Sequence, residues 1–426
     1  MKKKIIQSFF ILTFTTGLSK LFNIINRVIL SRYLNTQGMG LYMLIIPTLG
    51  LWITLSQLSI PSAIFKLIAD PKYNNKKVMS TGFFITTLTT ILMMFILTIF
   101  SPFISSHLLK NSDTLLPLKA LILFIPLTSV SAILKNYFMG RQMHKVIAKT
   151  QVTEELTRLF ITFVFFNVFS NYPTAHLVTL SFLAMSIGEL ASIIHLLSCI
   201  RPFSSTEIKT AYEPSLYLDF FRISLPMTGS RLLHSVTGFL EPVIITTLML
   251  SMGFLPEHIQ AQYGMMSGYV MSMITMPTFL TTVLYRILLP IFLENLNNKT
   301  KLLKNLYIGL FICFLISIPF TFAFYFFPEN CLSLLYKTTA GAGYLKYLSI
   351  PFTLYYLQTP LSALMQALNK NKEMFLISVL ECSLEVILLF VLVPKFHVLS
   401  MGLTLLIGIT VTLALSSFCI YRFLLK

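Results

Sequence analysis

The stretch IIQSFFILTFTTGLSKLFNIINRVILSRYL, residues 5–34, reads as one membrane-spanning helix that carries charge inside it. At 1.5 Å per residue it is long enough to cross a hydrocarbon core of about 30 Å. Thr13, Thr16, Lys20, Asn23 and Arg27 recur within it at steps of three and four. On an α-helix that spacing places all five on one stripe. Lys20 and Arg27 then stand about two turns, or roughly 10 Å, apart. A cation near the bilayer centre costs roughly 2.5–3.5 kcal/mol, so it faces protein or water rather than lipid. The stripe implies a polar cavity that favours negative charge. The alternative for Lys20 is to snorkel toward the interface.

The rest of the chain extends this pattern. Of its 426 residues 55% are hydrophobic and 11% charged, whereas soluble proteins are about 25% charged. Mean hydropathy is +0.79. The composition specifies an all-α polytopic membrane protein. Spans are expected near 5–34, 39–67, 78–107, 115–138, 150–170, 174–199, 219–250, 260–293, 303–327, 344–368, 373–394 and 398–424, about twelve in all. No alternation suited to a β-barrel is visible. Lys2-Lys3-Lys4 precedes a long apolar run with no small-residue cleavage site, so it reads as the flank of a retained first span.

The net charge of +17 would suggest nucleic acid in a soluble protein. Here the basic residues flank spans instead, and no nucleic-acid partner is expected. One set of loops holds Lys66, Lys72, Lys76, Lys77, Lys135, Arg141, Lys145, Lys149, Arg201, Lys209, Arg222, Lys299, Lys301, Lys304, Lys370 and Lys372. The alternate set holds only Arg32, Lys110, Lys119, Lys337, Lys346 and Lys395. The bias predicts both termini on the cytoplasmic side.

The chain also repeats itself. Span 1 contains TGLSKL (16–21) and span 7 contains TGSRL (228–232). LKALILFIPLT and the acids Glu154 and Glu155 return as LKYLSIPFTLY and the acids Glu381 and Glu385. Six spans separate the copies, so both have the same membrane orientation, a parallel repeat. The expected organisation is two pseudo-symmetric six-helix lobes, residues 1–200 and 219–426, joined by a cytoplasmic linker over 201–218.

Further charges fall inside spans: Arg231, His234 and Glu241 in span 7, Arg286 in span 8, Glu189 and His195 in span 6. Lys20, Asn23, Arg27, Arg231 and Arg286 are the candidates to line a substrate cavity. Glu241 and Glu189 are candidates for ion coupling or for pairing with an arginine. Glu154, Glu155 and Arg158 read as interfacial salt bridges. The methionines of span 8 suit adaptable packing at a moving interface. The five cysteines show no metal-ligand spacing and no disulfide framework. No GxxxxGK[ST], HExxH or GxSxG motif occurs. No enzymatic activity and no cofactor is expected, and vectorial work would draw on Na+, H+ or the membrane potential.

GLSKLFNIINRVILSRYLNTQGMGLYMLIIPTLGLWITLSQLSIPSAIFKLIAD (17–70) resembles the start of the stage V sporulation protein B group. ISLPMTGSRLLHSVTGFLEPVIITTLML (223–250), followed by QYGMMSGYVMSMITMPTFL, is similar to that group's seventh and eighth spans. The group sits in the multidrug/oligosaccharidyl-lipid/polysaccharide exporter superfamily, whose members often have fourteen spans where this sequence gives twelve. The resemblance implies two six-helix lobes around a cavity that alternates access. It implies a flippase for an anionic lipid-linked oligosaccharide, with peptidoglycan precursor lipid II the favoured substrate. Lys20 and Arg27 match the basic pair of the group's first span, and Arg231 is its repeat counterpart. Two other functions fit the same sequence. One is cation-coupled multidrug export, which needs acids as the dominant cavity charges. The other is a non-transporting membrane scaffold for cell-wall synthases, which needs no intramembrane cations.

Overall fold

The computed structural model describes residues 2–200, 214–296 and 298–425, with side chains from 17 onward apart from the flanks of the internal gap and the C-terminal end. The predicted linker therefore lies mostly outside the described residues, and the side chains of Thr13 and Thr16 lie outside them too. Every regular element among the described residues is helical. The chain divides into two compact units, Met1–Leu34 with Leu44–Phe239, and Asn35–Met43 with Leu240–Lys426.

The first unit begins with α1 (Lys2–Gln57), which Asn35 interrupts at φ 49°, ψ −171°. Asparagine tolerates positive φ. Its Oδ1 also accepts the Gly38 N–H at 3.1 Å, capping the helix that restarts there. The two predicted spans thus meet at Asn35 with no loop between them. The second predicted span does not continue to residue 67. Leu58 and Ser59 both take positive φ (44° and 53°), and α2 (Ile60–Ala69) starts afresh with Pro61 in its first turn, where a missing N–H costs nothing. Then follow α3 (Asn75–Phe103), α4 (Leu115–Gly140), α5 (His144–Val168), α6 (Thr174–Cys199) and α7 (Pro214–Ser251). Ile60, Ile64 and Leu67 of α2 are buried against Ile133, Leu134 and Phe138 of α4 in the core of this unit. Outward, α3 exposes Phe84, Leu88, Ile91, Phe95 and Ile99, each more than half accessible. So large an apolar face, on a helix long and apolar enough to cross a membrane, suits contact with lipid.

The second unit contains the end of α7 and then α8 (Pro256–Tyr263), a π-helical stretch over Gly264–Met271, α9 (Ser272–Thr275) and α10 (Thr278–Glu294). The eighth predicted span is therefore not one rod. It bends by 44° between α9 and α10, where Pro277 removes a backbone donor. Next come α11 (Lys299–Phe326), a short α12 (Pro328–Tyr336), α13 (Ala342–Ser349), α14 (Thr353–Ala367), α15 (Asn371–Phe396) and α16 (Leu399–Leu425). Pro351 sits in the break between α13 and α14, and Tyr356 pins α14 by donating to the carbonyl of Ile274 at 2.5 Å. Its repeat counterpart Pro126 lies inside an unbroken α4. In this unit Gly264 faces Gly40 so closely that an added Cβ would lie 2.5 Å from the Thr36 carbonyl oxygen.

Among the described residues eight helices are long and apolar enough to cross a membrane, or nine if the bent pair counts as one span. The shortfall from twelve has physical causes. One 41-residue stretch, Gly17–Gln57, contains two of the predicted spans. Glu154, Glu155 and Arg158 lower the apolar content of α5, and the tenth predicted span is split into α13 and α14.

The Gly40–Gly264 approach gives a first test. Gly264→Ala should destabilise by about 1–3 kcal/mol through overpacking, seen as a lower melting temperature of the purified protein. Gly229→Ala, where an added Cβ meets nothing within 4 Å, should leave the melting temperature unchanged or slightly raised.

Candidate functional site

The TEELTR segment of α5 places Glu154 and Glu155 four and three residues before Arg158, within reach of it on one helical face. Arg158 uses both. Its Nη2 pairs with Glu154 Oε1 at 3.0 Å and its Nη1 with Glu155 Oε2 at 3.1 Å. All three residues are buried. Lys135 of α4 pairs with Glu154 Oε2 at 2.6 Å and with Glu189 Oε2 of α6 at 3.4 Å. Thr128 donates to the other Glu189 oxygen at 3.3 Å. The helices are close because Gly188 has no side chain; a Cβ there would sit 3.1 Å from the Glu154 carbonyl oxygen. Three acids and two bases thus form one network across α4, α5 and α6.

Asn23 ties α1 to this network. Its Nδ2 donates to Glu155 Oε1 at 2.9 Å and to the Ser19 carbonyl at 3.0 Å. Asn23 therefore holds its own helix against α5. Lys20, three residues earlier, is exposed and makes no ion pair among the described residues, while Arg27 is half-buried. Arg231 of α7 is exposed, and its Nη2 donates to Ser62 Oγ at 3.3 Å, just past the break before α2. Close by, Thr54 and Ser235 share a hydrogen bond of 2.8 Å between α1 and α7. Glu189 is paired with Lys135, and Arg231 with no acid among the described residues.

The second unit is built differently. Glu381 and Glu385 of α15 repeat the spacing of Glu154 and Arg158, so an acid stands where the first unit has its arginine. Gly408 of α16 plays the part of Gly188: a Cβ there would lie 3.3 Å from Glu381 Cγ. Glu241 of α7 lies within electrostatic range of Glu385. None of Glu241, Glu381 and Glu385 makes an ion pair among the described residues, and all three are partly buried. Arg286 of α10 is also partly buried, without an ion-pair partner among the described residues. No group of three or more His, Cys, Asp or Glu there has the geometry to hold a metal ion.

The salt bridges expected among Glu154, Glu155 and Arg158 form, and their side chains are buried. One correction follows. Lys135, assigned from sequence to a basic loop, stands inside α4 and is the hub of the network. A signal was present: three acids at 154, 155 and 189 needed more than one base, and Lys135 lies within the predicted fourth span.

Comparison with solved structures identifies the architecture. The fold is similar to an inward-facing multidrug resistance MATE family transporter of the MOP superfamily, with a TM-score of 0.70 at 13% identity, covering 97% of this chain and 98% of that one. It is also similar to lipid II flippase MurJ in its inward closed conformation, with a TM-score of 0.67 at 13% identity over 96% of this chain and 87% of that one. The chain thus shares the fold of these transporters. Residues 5–296 match the polysaccharide biosynthesis protein family, and the chain belongs to that family. Among curated proteins, stage V sporulation protein B of Bacillus subtilis (strain 168) is 27% identical over 425 residues, covering 96% of this chain and 82% of that protein.

The network makes a double-mutant cycle informative. Lys135→Met leaves Glu189 and Glu154 short of a cation and should cost about 3–5 kcal/mol, read as a sharp fall in melting temperature. Adding Glu189→Gln to Lys135→Met should recover part of that loss, which independent sites would not show.

Proposed function

We propose that this protein is an alternating-access flippase for an anionic lipid-linked oligosaccharide in the bacterial cell membrane, with lipid II the favoured substrate. One observation carries the reading. In the first unit the buried acids are already engaged by Lys135 and Arg158. Lys20 and Arg231 are left exposed on membrane-length helices with no acid partner among the described residues. A cation at such a position is stabilised by an anion that arrives with the substrate. A diphosphate fits, because arginine binds phosphate oxygens in bidentate fashion and lysine as a point charge. Arg27, on the same stripe as Lys20, extends the cationic surface along α1, and Arg286 supplies a further cation in the second unit.

Glu241, Glu381 and Glu385 serve the coupling ion in this reading. Three acids without a base attract Na+ or H+, whose gradient drives transport. The same acids favour a second reading, export of a cationic drug. A structural relative named a lipid II flippase supports the first, and one named a multidrug resistance transporter supports the second. The lysine and arginine bias of the loops orients both termini toward the cytoplasm.

The test is translocation in proteoliposomes of lipid II and of simpler undecaprenyl-diphosphate-linked sugars. Wild type should flip at least one of them, faster with an inward cation gradient. Lys20→Ala and Arg231→Ala should each slow it about ten- to a hundredfold, the worth of a charge-assisted hydrogen bond of roughly 1.5–3 kcal/mol. Unchanged flipping in both variants would sink the assignment. Export of a cationic dye with no flipping would establish the second reading.

A further inference from the structure

Between α3 and α4, within the first unit, lies a small, partly open notch of about 80 Å³, bordered by outward-facing Ile91 and lined by Thr86, Thr90, Met94, Pro126 and Ser129. Thr86, Thr90 and Ser129 are almost fully buried, at 1%, 4% and 2% accessibility. The hydroxyl of each has no hydrogen-bond partner among the described residues. A buried hydroxyl without a partner is unfavourable, and apolar surroundings within a membrane offer no relief.

These side chains have an easy alternative. A serine or threonine in a helix can donate to the carbonyl one turn back. Thr98 of the same α3 does so, to Met94 at 2.8 Å, and Thr89 does so to Ile85 at 3.1 Å. Thr86, Thr90 and Ser129 do without that bond, although all three line one cavity. Three hydroxyls therefore converge on a space with room for small polar molecules. The cavity has no acid and no base in its lining, so it suits a neutral ligand.

We propose that this notch is a water-binding site in the middle of the membrane-embedded part of the first unit. About two or three waters fill it, at roughly 30 Å³ each. They accept hydrogen bonds from the three hydroxyls, which have no other partner among the described residues.

Water-edited solid-state NMR of the full chain in phospholipid bilayers tests this directly. The side chains of Thr86, Thr90 and Ser129 should receive magnetisation from water as quickly as exposed loop residues do. Transfer only from lipid acyl chains would overturn the site. Shifts of these signals on exchanging K+ for Na+ at constant ionic strength would also overturn it, since the occupant would then be an ion. Substitution gives an independent readout. The triple variant Thr86→Val, Thr90→Val, Ser129→Ala should lower the melting temperature, because it removes bonds to water. A raised melting temperature would mean the hydroxyls were dry and merely costly, contrary to the proposal.

Discussion

A charge held inside a bilayer must find its opposite, and most of what distinguishes this chain follows from how it meets that demand. In the first unit Lys135 and Arg158 satisfy Glu154, Glu155 and Glu189 across three helices. The cluster holds those helices in register, because sliding any one of them would strand a buried carboxylate. Asn23 then fixes α1 to Glu155. The orientation of the α1 stripe is set by a neutral amide, and the proposed mechanism gives the neighbouring cation Lys20 to the substrate.

The repeat shows how the second unit departs from this plan. Its α15 places Glu381 and Glu385 at the spacing of Glu154 and Arg158 in α5, and Gly408 keeps the close approach that Gly188 provides. The arginine position has become Glu385, and no lysine answers from α14. The same scaffold therefore supports a closed ion network in one half and an uncompensated set of carboxylates in the other. In the proposed mechanism these are the two chemical needs of a coupled flippase: a cationic surface for the substrate and an anionic place for the driving ion.

Much of this was legible in the residues. Apolar length gave the all-helical membrane architecture, though eight or nine described helices rather than twelve meet the length and apolarity of a span. Backbone breaks were not legible. Proline marks Pro61, Pro277 and Pro351 at breaks, yet Pro47, Pro126 and Pro319 lie inside continuous helices. Neighbouring side chains and the free carbonyl decide the outcome, and these are tertiary facts. Nor could spacing alone show that Asn23 binds Glu155, 132 residues away, or that Lys135 leaves the loop for the core. Lysine near a predicted span end reads as an orientation signal until its partners are known.

The most direct test of the central claim is equilibrium binding of undecaprenyl diphosphate, without its sugar, to the purified protein in neutral-lipid nanodiscs. The account predicts saturable binding that weakens with added salt and is lost when Lys20 and Arg231 are both changed to glutamine, in a variant with an unaltered melting temperature. Equal affinity in the wild type and that variant would contradict it.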